Sequence, residues 1–236
     1  MLPFFCLAKE TGTNQINMRY SALKKVTTLL LIIAAGTFWA TANSPPKVVT
    51  QAEIKSVEKR YGARAADRLR AWQELVDENQ HLSEQDKLEL VNDFFNQVRF
   101  IDDIIHWKQK DYWATPVQLL ATDGGDCEDY SIAKYFTLKA LGVPENKLYI
   151  TYVKAIRYNQ AHMVLTYFKT PRSIPVVLDN INKRILPATD RRDLVPVYSF
   201  NGDGLWLARQ RGKGKSVKGG TSRLKKWNDL LDRLNR

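Results

Sequence analysis

Cys127, His162 and Asp179 have the chemistry and the order of a nucleophile, a base and an orienting acid. Cys127 follows the loop Asp123-Gly-Gly-Asp126 and begins a predicted helix that runs to Leu141. We expect the double glycine of this loop to let the backbone turn tightly. Free backbone amides and the positive dipole end of a helix N-terminus stabilise a thiolate, which is the nucleophilic form of cysteine. The same amides could bind an oxyanion.

His162 lies near the start of a predicted strand, Ala161 to Phe168, and Asp179 ends the next strand, Pro175 to Leu178. A carboxylate on an adjacent strand can orient an imidazole and fix its tautomer, as in catalytic triads. An isolated strand histidine would be interpreted as a hydrogen-bonded structural residue, and Asp179 favours the catalytic interpretation. Of the other histidines, His81 is predicted to lie on the surface, and His106 to pack or cap beside Trp107.

Acidic residues surround the nucleophile: Asp123, Asp126, Glu128 and Asp129 place four carboxylates within seven residues. Hard oxygen ligands at this density suit Ca²⁺, although the spacing is not that of an EF-hand. Alternatively, the acids only stabilise the N-terminus of the helix. Calcium is favoured, because unscreened carboxylates beside a thiol would raise its pKa.

Residues 1–42 have the pattern of a secretory signal peptide. Lys24 and Lys25 precede the apolar stretch Val26 to Trp39, and an A-x-A site ends at Ala42. The apolar stretch is short for a membrane span, and an uncleaved N-terminal anchor is the alternative. Met18 is a possible true start. Removal of the leader would leave 194 residues and one cysteine, Cys127, with no disulfide partner in its own chain.

The net charge of +11 comes from the two ends of the sequence. Residues 209–236 hold ten basic and two acidic residues, the leader carries +3, and residues 43–208 are neutral overall. Nucleic acid is therefore an unfavourable partner for the central domain, which has no basic stripe with interleaved aromatics. We interpret residues 209–236 as a basic, flexible and solvated tail.

The elements predicted around these residues are helices first and strands afterwards, which indicates an α+β fold with N-terminal helices packed on an antiparallel sheet. Apolar residues at helical spacing cover residues 51–80, with a break at Gly62, and Ser83 is a plausible N-cap for a second helix. Pro116 suits the first position of a short helix over residues 116–121. Three predicted strands follow the nucleophile helix, at residues 148–155, 161–168 and 175–178.

Five segments, in this order, resemble the bacterial transglutaminase-like cysteine proteinases, specifically the LapG-type periplasmic proteases. They lie within residues 107–206 and read Tyr112-Trp-Ala-Thr-Pro116, Gly124-Gly-Asp-Cys-Glu-Asp-Tyr130, Asn159-Gln-Ala-His-Met-Val-Leu165, Leu178-Asp-Asn180 and Pro196-Val-Tyr-Ser-Phe-Asn-Gly202. The resemblance implies a papain/transglutaminase-like cysteine protease domain over residues 43–208 with Cys127, His162 and Asp179 as its triad. It also implies calcium ligands at Asp126 and Glu128, with Asp129 and Asp123 as weaker candidates.

The resemblance further implies a periplasmic, calcium-dependent endopeptidase. Its substrate would be the N-terminal region of a large surface adhesin, cut at a small-residue (di-alanine-like) site, so that the adhesin is released and the biofilm disperses. An inner-membrane receptor that responds to cyclic di-GMP would hold the protease inactive. Trp113 would line the oxyanion site or the substrate cleft, or pack in the core. Two other functions stay open: a transglutaminase-type acyl transferase, and a catalytically inactive calcium-dependent binding module.

Overall fold

The N-terminal half of the domain is helical, as its apolar spacing predicts. The computed structural model describes residues 46–208 and 213–235, so the predicted leader lies outside the described residues. Thr50 and Ser83 cap the first and third helices, and Gly62, with φ of 87°, separates the first from the second. These helices are α1 (Gln51–Tyr61), α2 (Ala63–Glu78) and α3 (Glu84–Phe95).

The connector between α3 and the helix that begins at Cys127 holds a small parallel pair of strands and two short helices. Thr115 forms a capping box with Gln118, and Pro116 occupies the first turn, as predicted from its fixed φ. The elements are β1 (Arg99–Phe100), α4 (Asp103–His106), α5 (Pro116–Thr122), β2 (Gly124–Gly125) and α6 (Cys127–Ala140).

A seven-stranded antiparallel sheet forms the second half of the domain, which confirms the α+β prediction. The spatial order is β6-β5-β4-β3-β7-β8-β9. The three predicted strands correspond to β3, β4 and β5, which are neighbours in the sheet, and β3 is its central strand. The strands are β3 (Leu148–Ala155), β4 (Gln160–Tyr167), β5 (Val176–Leu178), β6 (Leu186–Pro187), β7 (Leu194–Asn201), β8 (Gly204–Ala208) and β9 (Lys213–Ser216).

Helix α6 is the central element of the core, since it contacts α3 and α5 as well as β3 and β4. Its side chains are buried on nearly all faces, including Ile132 and Leu138 but also the polar residues Lys134 and Thr137. A helix that is enclosed on all sides holds its first residue, Cys127, in a fixed position relative to the sheet.

The C-terminal residues differ from the prediction of a flexible basic tail. Over residues 213–235 that prediction is wrong: β9 extends the sheet, and a seventh helix, α7 (Lys225–Leu234), packs on the domain. Trp227 and Leu230 are 1% and 0% exposed, and the Trp227 ring stacks on Phe136 at 5.8 Å. The charge count concealed this short amphipathic helix, because its few apolar residues lie on one face among many basic ones. Within the described residues, no helix has the length and apolarity needed to cross a membrane.

Candidate active site

Cys127 is the first residue of α6, as predicted. Asp126 is the N-cap and forms a capping box with Asp129, whose Oδ2 accepts from the Asp126 backbone N–H at 3.2 Å. Asp129 Oδ1 accepts from the Ala114 N–H at 2.7 Å, so this buried carboxylate also joins α6 to the connector. The helix N-terminus that carries the thiol is therefore held by its own first-turn acid.

Gly124 and Gly125, the two glycines before Cys127, do not form the predicted tight turn. The left-handed backbone occurs at Asp123, with φ of 52°, whereas Gly124 and Gly125 form the buried strand β2 and have no positive φ. A Cβ on Gly125 would lie 2.5 Å from Asp129 Oδ2, and one on Gly124 would lie 2.6 Å from Ile101 Cδ1. Gly125 is needed because Asp129 Cβ, at 2.9 Å, also approaches too closely for a side chain, whereas at Gly124 the end of the flexible Ile101 side chain can move aside.

His162 and Asp179 are brought together as the strand order predicts. His162 lies on β4, opposite Val153 of β3, and Asp179 directly follows β5. His162 Nε2 lies 2.8 Å from Asp179 Oδ1, and the two residues are 3% and 2% exposed. An ionised Asp179 can only accept hydrogen bonds, so His162 Nε2–H is the donor and Nδ1 is the nitrogen free to act as a base.

Arg191 completes the surroundings of Asp179, and sequence reasoning missed it. Its Nη2 donates to Asp179 Oδ2 at 2.7 Å, and the Ile181 backbone N–H donates to Oδ1 at 3.0 Å. Burial alone raises the pKa of Asp179. The hydrogen bond and charge of His162, with the Ile181 and Arg191 hydrogen bonds, outweigh that effect and hold the pKa well below its ordinary value. In the sequence Arg191 lies in a run of charged residues that is typical of an exposed loop. The sequence therefore did not indicate that Arg191 is buried or that it binds Asp179.

A cavity of about 650 Å³ opens over Cys127 and His162. Cys127 and His162 both line it, together with Trp113 and the stacked rings of Tyr152 and Tyr198, whose centroids are 5.0 Å apart. Trp113 also stacks on Phe200 at 5.7 Å, so it both packs against the core and lines the cleft. Its indole N–H already donates to Asp111 Oδ1 at 3.0 Å.

The thiol lies in a negative environment. Cys127 Sγ donates to Glu128 Oε2 at 3.1 Å. Burial raises the pKa of the Cys127 thiol, and the Glu128 and Asp126 carboxylates raise it further. A positive group beside the carboxylates would lower the thiol pKa.

Two further acids, Asp103 and Asp111, join the predicted cluster. Oxygens of Asp103, Asp111 and Glu128 lie within 4.8 Å of one another, and so do those of Asp103, Asp126 and Asp129. The connector brings Asp103 and Asp111 to the start of α6. Because both residues are far from Cys127 in the sequence, the sequence alone did not indicate that they belong to the acidic cluster.

Several properties of this acidic cluster fit a hard divalent cation. Asp103 Oδ1 and Asp126 Oδ1 are buried with no hydrogen-bond partner. Burial raises the pKa of Asp126 to about 9, helped by Glu128, and burial likewise raises the pKa of Asp103 and of Asp129. Crowded buried carboxylates are unfavourable unless protonated or bound to a cation, and Ca²⁺ prefers such oxygen ligands.

Asp123, the remaining predicted ligand, is not brought into the acidic cluster. Its carboxylate pairs with Arg99 at 3.3 Å, on the outer side of the loop. The other histidines agree with their predicted roles: His81 is exposed, and His106 Nε2 lies 2.9 Å from Thr122 Oγ1 with its ring against Trp107.

A sequence model of the bacterial transglutaminase-like cysteine proteinases (BTLCP) matches residues 60–200 of this chain. The chain belongs to this family. Its fold is that of the transglutaminase-like cysteine proteases, and the family makes it a cysteine protease. The match ends within β7, so β8, β9 and α7 lie outside it.

Solved structures of LapG from Legionella pneumophila are similar to this member of the family. One is 42% identical with a TM-score of 0.68, covering 80% of this chain and 99% of that one. A calcium-bound form has 42% identity and a TM-score of 0.67 over 79% of this chain and 99% of that one. An EGTA-treated form has 42% identity and a TM-score of 0.69 over 80% and 100%. A search of curated proteins found no significant match.

Proposed function

We propose that this family member is an endopeptidase in which Cys127 is the nucleophile, His162 the general base and acid, and Asp179 the residue that orients the imidazole. One observation carries the proposal: the buried 2.8 Å hydrogen bond from His162 Nε2 to Asp179 belongs to a histidine that lines the same cavity as Cys127. A histidine held in one tautomer, in the same cleft as a cysteine at a helix start, is the arrangement that thiol proteases require.

The reaction begins with transfer of the Cys127 proton to His162 Nδ1. The sulfur then attacks the scissile carbonyl carbon, and the carbonyl oxygen becomes an oxyanion. When this intermediate collapses, the C–N bond breaks and the leaving amine takes the proton from His162, which leaves a thioester on Cys127. His162 then deprotonates a water molecule that attacks the thioester. The C–S bond breaks, the acid product leaves, and the proton on His162 returns to the Cys127 sulfur.

Backbone amides of the first turn of α6 are the candidate oxyanion donors, because the first four N–H groups of a helix have no partner within it. Trp113 is proposed to shape the cleft. It does not supply the oxyanion donor in this geometry, since its N–H is bound to Asp111. The stacked rings of Tyr152 and Tyr198 offer a flat apolar surface for a peptide substrate.

We propose that the protease requires Ca²⁺, as the existence of calcium-bound and EGTA-treated LapG suggests. Asp126 and Glu128 would hold the ion, with Asp103 and Asp111 as further ligands, while both Asp129 oxygens already accept backbone hydrogen bonds. The ion would supply positive charge that neutralises the carboxylates next to the thiol. Glu128 would then no longer compete for the thiol proton.

The proposed substrate is the N-terminal region of a large cell-surface adhesin, cut at a site of small residues so that the adhesin is released and the biofilm disperses. The resemblance of the five segments to the LapG-type proteases supports this substrate, and the signal-type pattern of residues 1–42 supports a periplasmic location. An inner-membrane receptor for cyclic di-GMP is the proposed inhibitor. It would act by covering the cleft that holds Cys127.

Product analysis tests the proposal against the acyl-transferase alternative. The purified mature chain would be incubated with calcium, an adhesin N-terminal fragment and a free amine in H₂¹⁸O. Hydrolysis places ¹⁸O in the new C-terminus of the upstream fragment, and we expect this product. An amide between the fragment and the amine would support a transglutaminase, and an intact fragment that stays bound would support an inactive binding module.

A further inference from the structure

Lys134 is a buried lysine that the proposed mechanism does not use. It lies on α6, seven residues after Cys127, and is 1% exposed. A lysine is almost never fully buried unless it is paired with an acid or has a specific purpose, because desolvation of its charge is costly.

The Lys134 ammonium has three acceptors and no acid. Its Nζ donates to Asn92 Oδ1 at 2.9 Å, to Asn96 Oδ1 at 2.8 Å and to the backbone oxygen of Asp179 at 3.3 Å. Three acceptors match the three N–H groups of an ammonium. Within the described residues, no carboxylate oxygen is bonded to it. Burial lowers the pKa of Lys134 to about 7, opposed by the charges of Asp179 and Asp93.

Asn92 on α3 and Asn96, the C-cap of that helix, extend this contact along the segment after β5. Asn96 Nδ2 donates to the same Asp179 backbone oxygen at 3.0 Å. Asn92 Nδ2 donates to the Lys183 backbone oxygen at 2.8 Å, and Lys183 Nζ donates to the Asn96 backbone oxygen at 3.0 Å. The segment from Asp179 to Lys183 is therefore fixed at both ends by a closed network that Lys134 connects to the nucleophile helix.

We propose that Lys134 is a positioning residue that fixes the main chain of Asp179 to the nucleophile helix, so that α6 sets the place of both the thiol and the carboxylate that orients its base. The side chain of Asp179 is held by His162 and Arg191, and its main chain by Lys134 and Asn96. Without the main-chain contact, the carboxylate could move away from the imidazole. A misplacement of about 1 Å at a reacting group can cost about a hundredfold in rate.

This inference rests on the proposed protease function for its kinetic readout, and a second readout is independent of activity. Lys134→Met keeps the length and removes the three donors. We expect kcat for an adhesin fragment to fall at least about tenfold while KM stays within about twofold. In the folded variant, the NMR resonance of the His162 Nε2 proton should shift or broaden, because its hydrogen bond to Asp179 is disturbed.

Thr137→Val is the matched control. Thr137 is a buried polar residue on the same helix, and its Oγ1 accepts from Trp72 Nε1 at 2.8 Å, away from Asp179. This variant should lose stability with kcat and the His162 resonance unchanged. If Lys134→Met behaves in the same way, Lys134 is only structural and the inference is overturned.

Asn96→Ala keeps the inference testable if Lys134→Met does not fold. This variant retains the ammonium and removes one of the two donors to the Asp179 backbone oxygen. A weaker loss of kcat with a shifted His162 resonance supports the inference, and wild-type values for both overturn it. If the wild-type protein cleaves no fragment, the proposed function fails, and the resonance comparison still decides the role of Lys134.

Discussion

Arg191 lies 2.7 Å from the Asp179 oxygen that His162 does not use, and neither side chain is more than 2% exposed. The carboxylate thus receives a cation on one oxygen and an imidazole on the other. This arrangement keeps Asp179 ionised despite its burial and fixes the plane of its carboxylate.

Replacing Arg191 with Met should therefore harm both folding and catalysis. Removing one partner of a buried ion pair typically costs about 3–5 kcal/mol, because the other charge is left buried. We expect a loss of that size in the free energy of unfolding, measured with urea, and a fall in kcat. Asp193→Asn is the control: it removes the half-exposed partner of Arg191 and should cost less than about 1 kcal/mol. Equal losses for the two variants would contradict the assigned role of the buried pair.

Lowering the pH through the titration range of Asp179 should decrease the free energy of unfolding. Its pKa is depressed in the folded state, and its ordinary value is 3.8. Between these values the unfolded chain binds the proton and the folded chain does not, so stability rises with pH there. The contribution is fully present at neutral pH and is lost as the pH falls through 3.8 and below. Urea unfolding from pH 6 to pH 2.5 should show a difference between wild type and Asp179→Asn that shrinks below about pH 4. A constant difference would contradict the depressed pKa.

Calcium removal should lower both activity and melting temperature. A ligand that binds only the folded state at about 100 times its Kd stabilises it by about 2.7 kcal/mol, so saturating calcium should raise Tm measurably. Asp126→Asn and Glu128→Gln should each weaken this calcium-induced shift and reduce cleavage. Asp123→Asn supplies the matched control, because this neighbouring acid pairs with Arg99 outside the acidic cluster. A loss of the shift in Asp123→Asn, or its retention in Glu128→Gln, would show that the ligands are assigned wrongly.

The C-terminal helix should be needed for stability. Trp227 is buried against Phe136 and Phe200, and a buried Trp→Ala change typically costs about 3–5 kcal/mol. Leu234→Ala, at a more exposed position of α7, should change the free energy of unfolding by less than about 0.5 kcal/mol. Urea denaturation of both variants measures the free energy of unfolding. A negligible effect of Trp227→Ala would contradict the packed helix and favour a flexible tail.

Local signals in the sequence account for the parts of the structure that were predicted correctly. Helical spacing, the N-cap at Ser83, the proline in the first turn of α5 and three β-branched runs predict the elements that carry Cys127, His162 and Asp179. These features depend on residues close together in the chain, so periodicity and capping chemistry reveal them.

The parts that were missed depend on contacts between distant residues. Asp103, Asp111 and Arg191 reach the site only through the folding of the connector and of the loop before β7. Lys134 sits on a helix with no exposed face, so its position gave no amphipathic signal. The helix around Trp227 was concealed by its basic neighbours, since net charge averages over a segment and ignores which face each residue occupies.

The cleavage activity of Cys127→Ala tests the central claim most directly. With calcium and an adhesin N-terminal fragment, wild-type protein should release two hydrolysed products, whereas Cys127→Ala, with an unchanged far-UV circular dichroism spectrum, should release none. Products would be quantified by mass spectrometry over several hours, so that residual activity of about one part in 10³ is detectable. Cleavage at the same bond by folded Cys127→Ala, at more than that residual level, would contradict the assignment of Cys127 as the nucleophile.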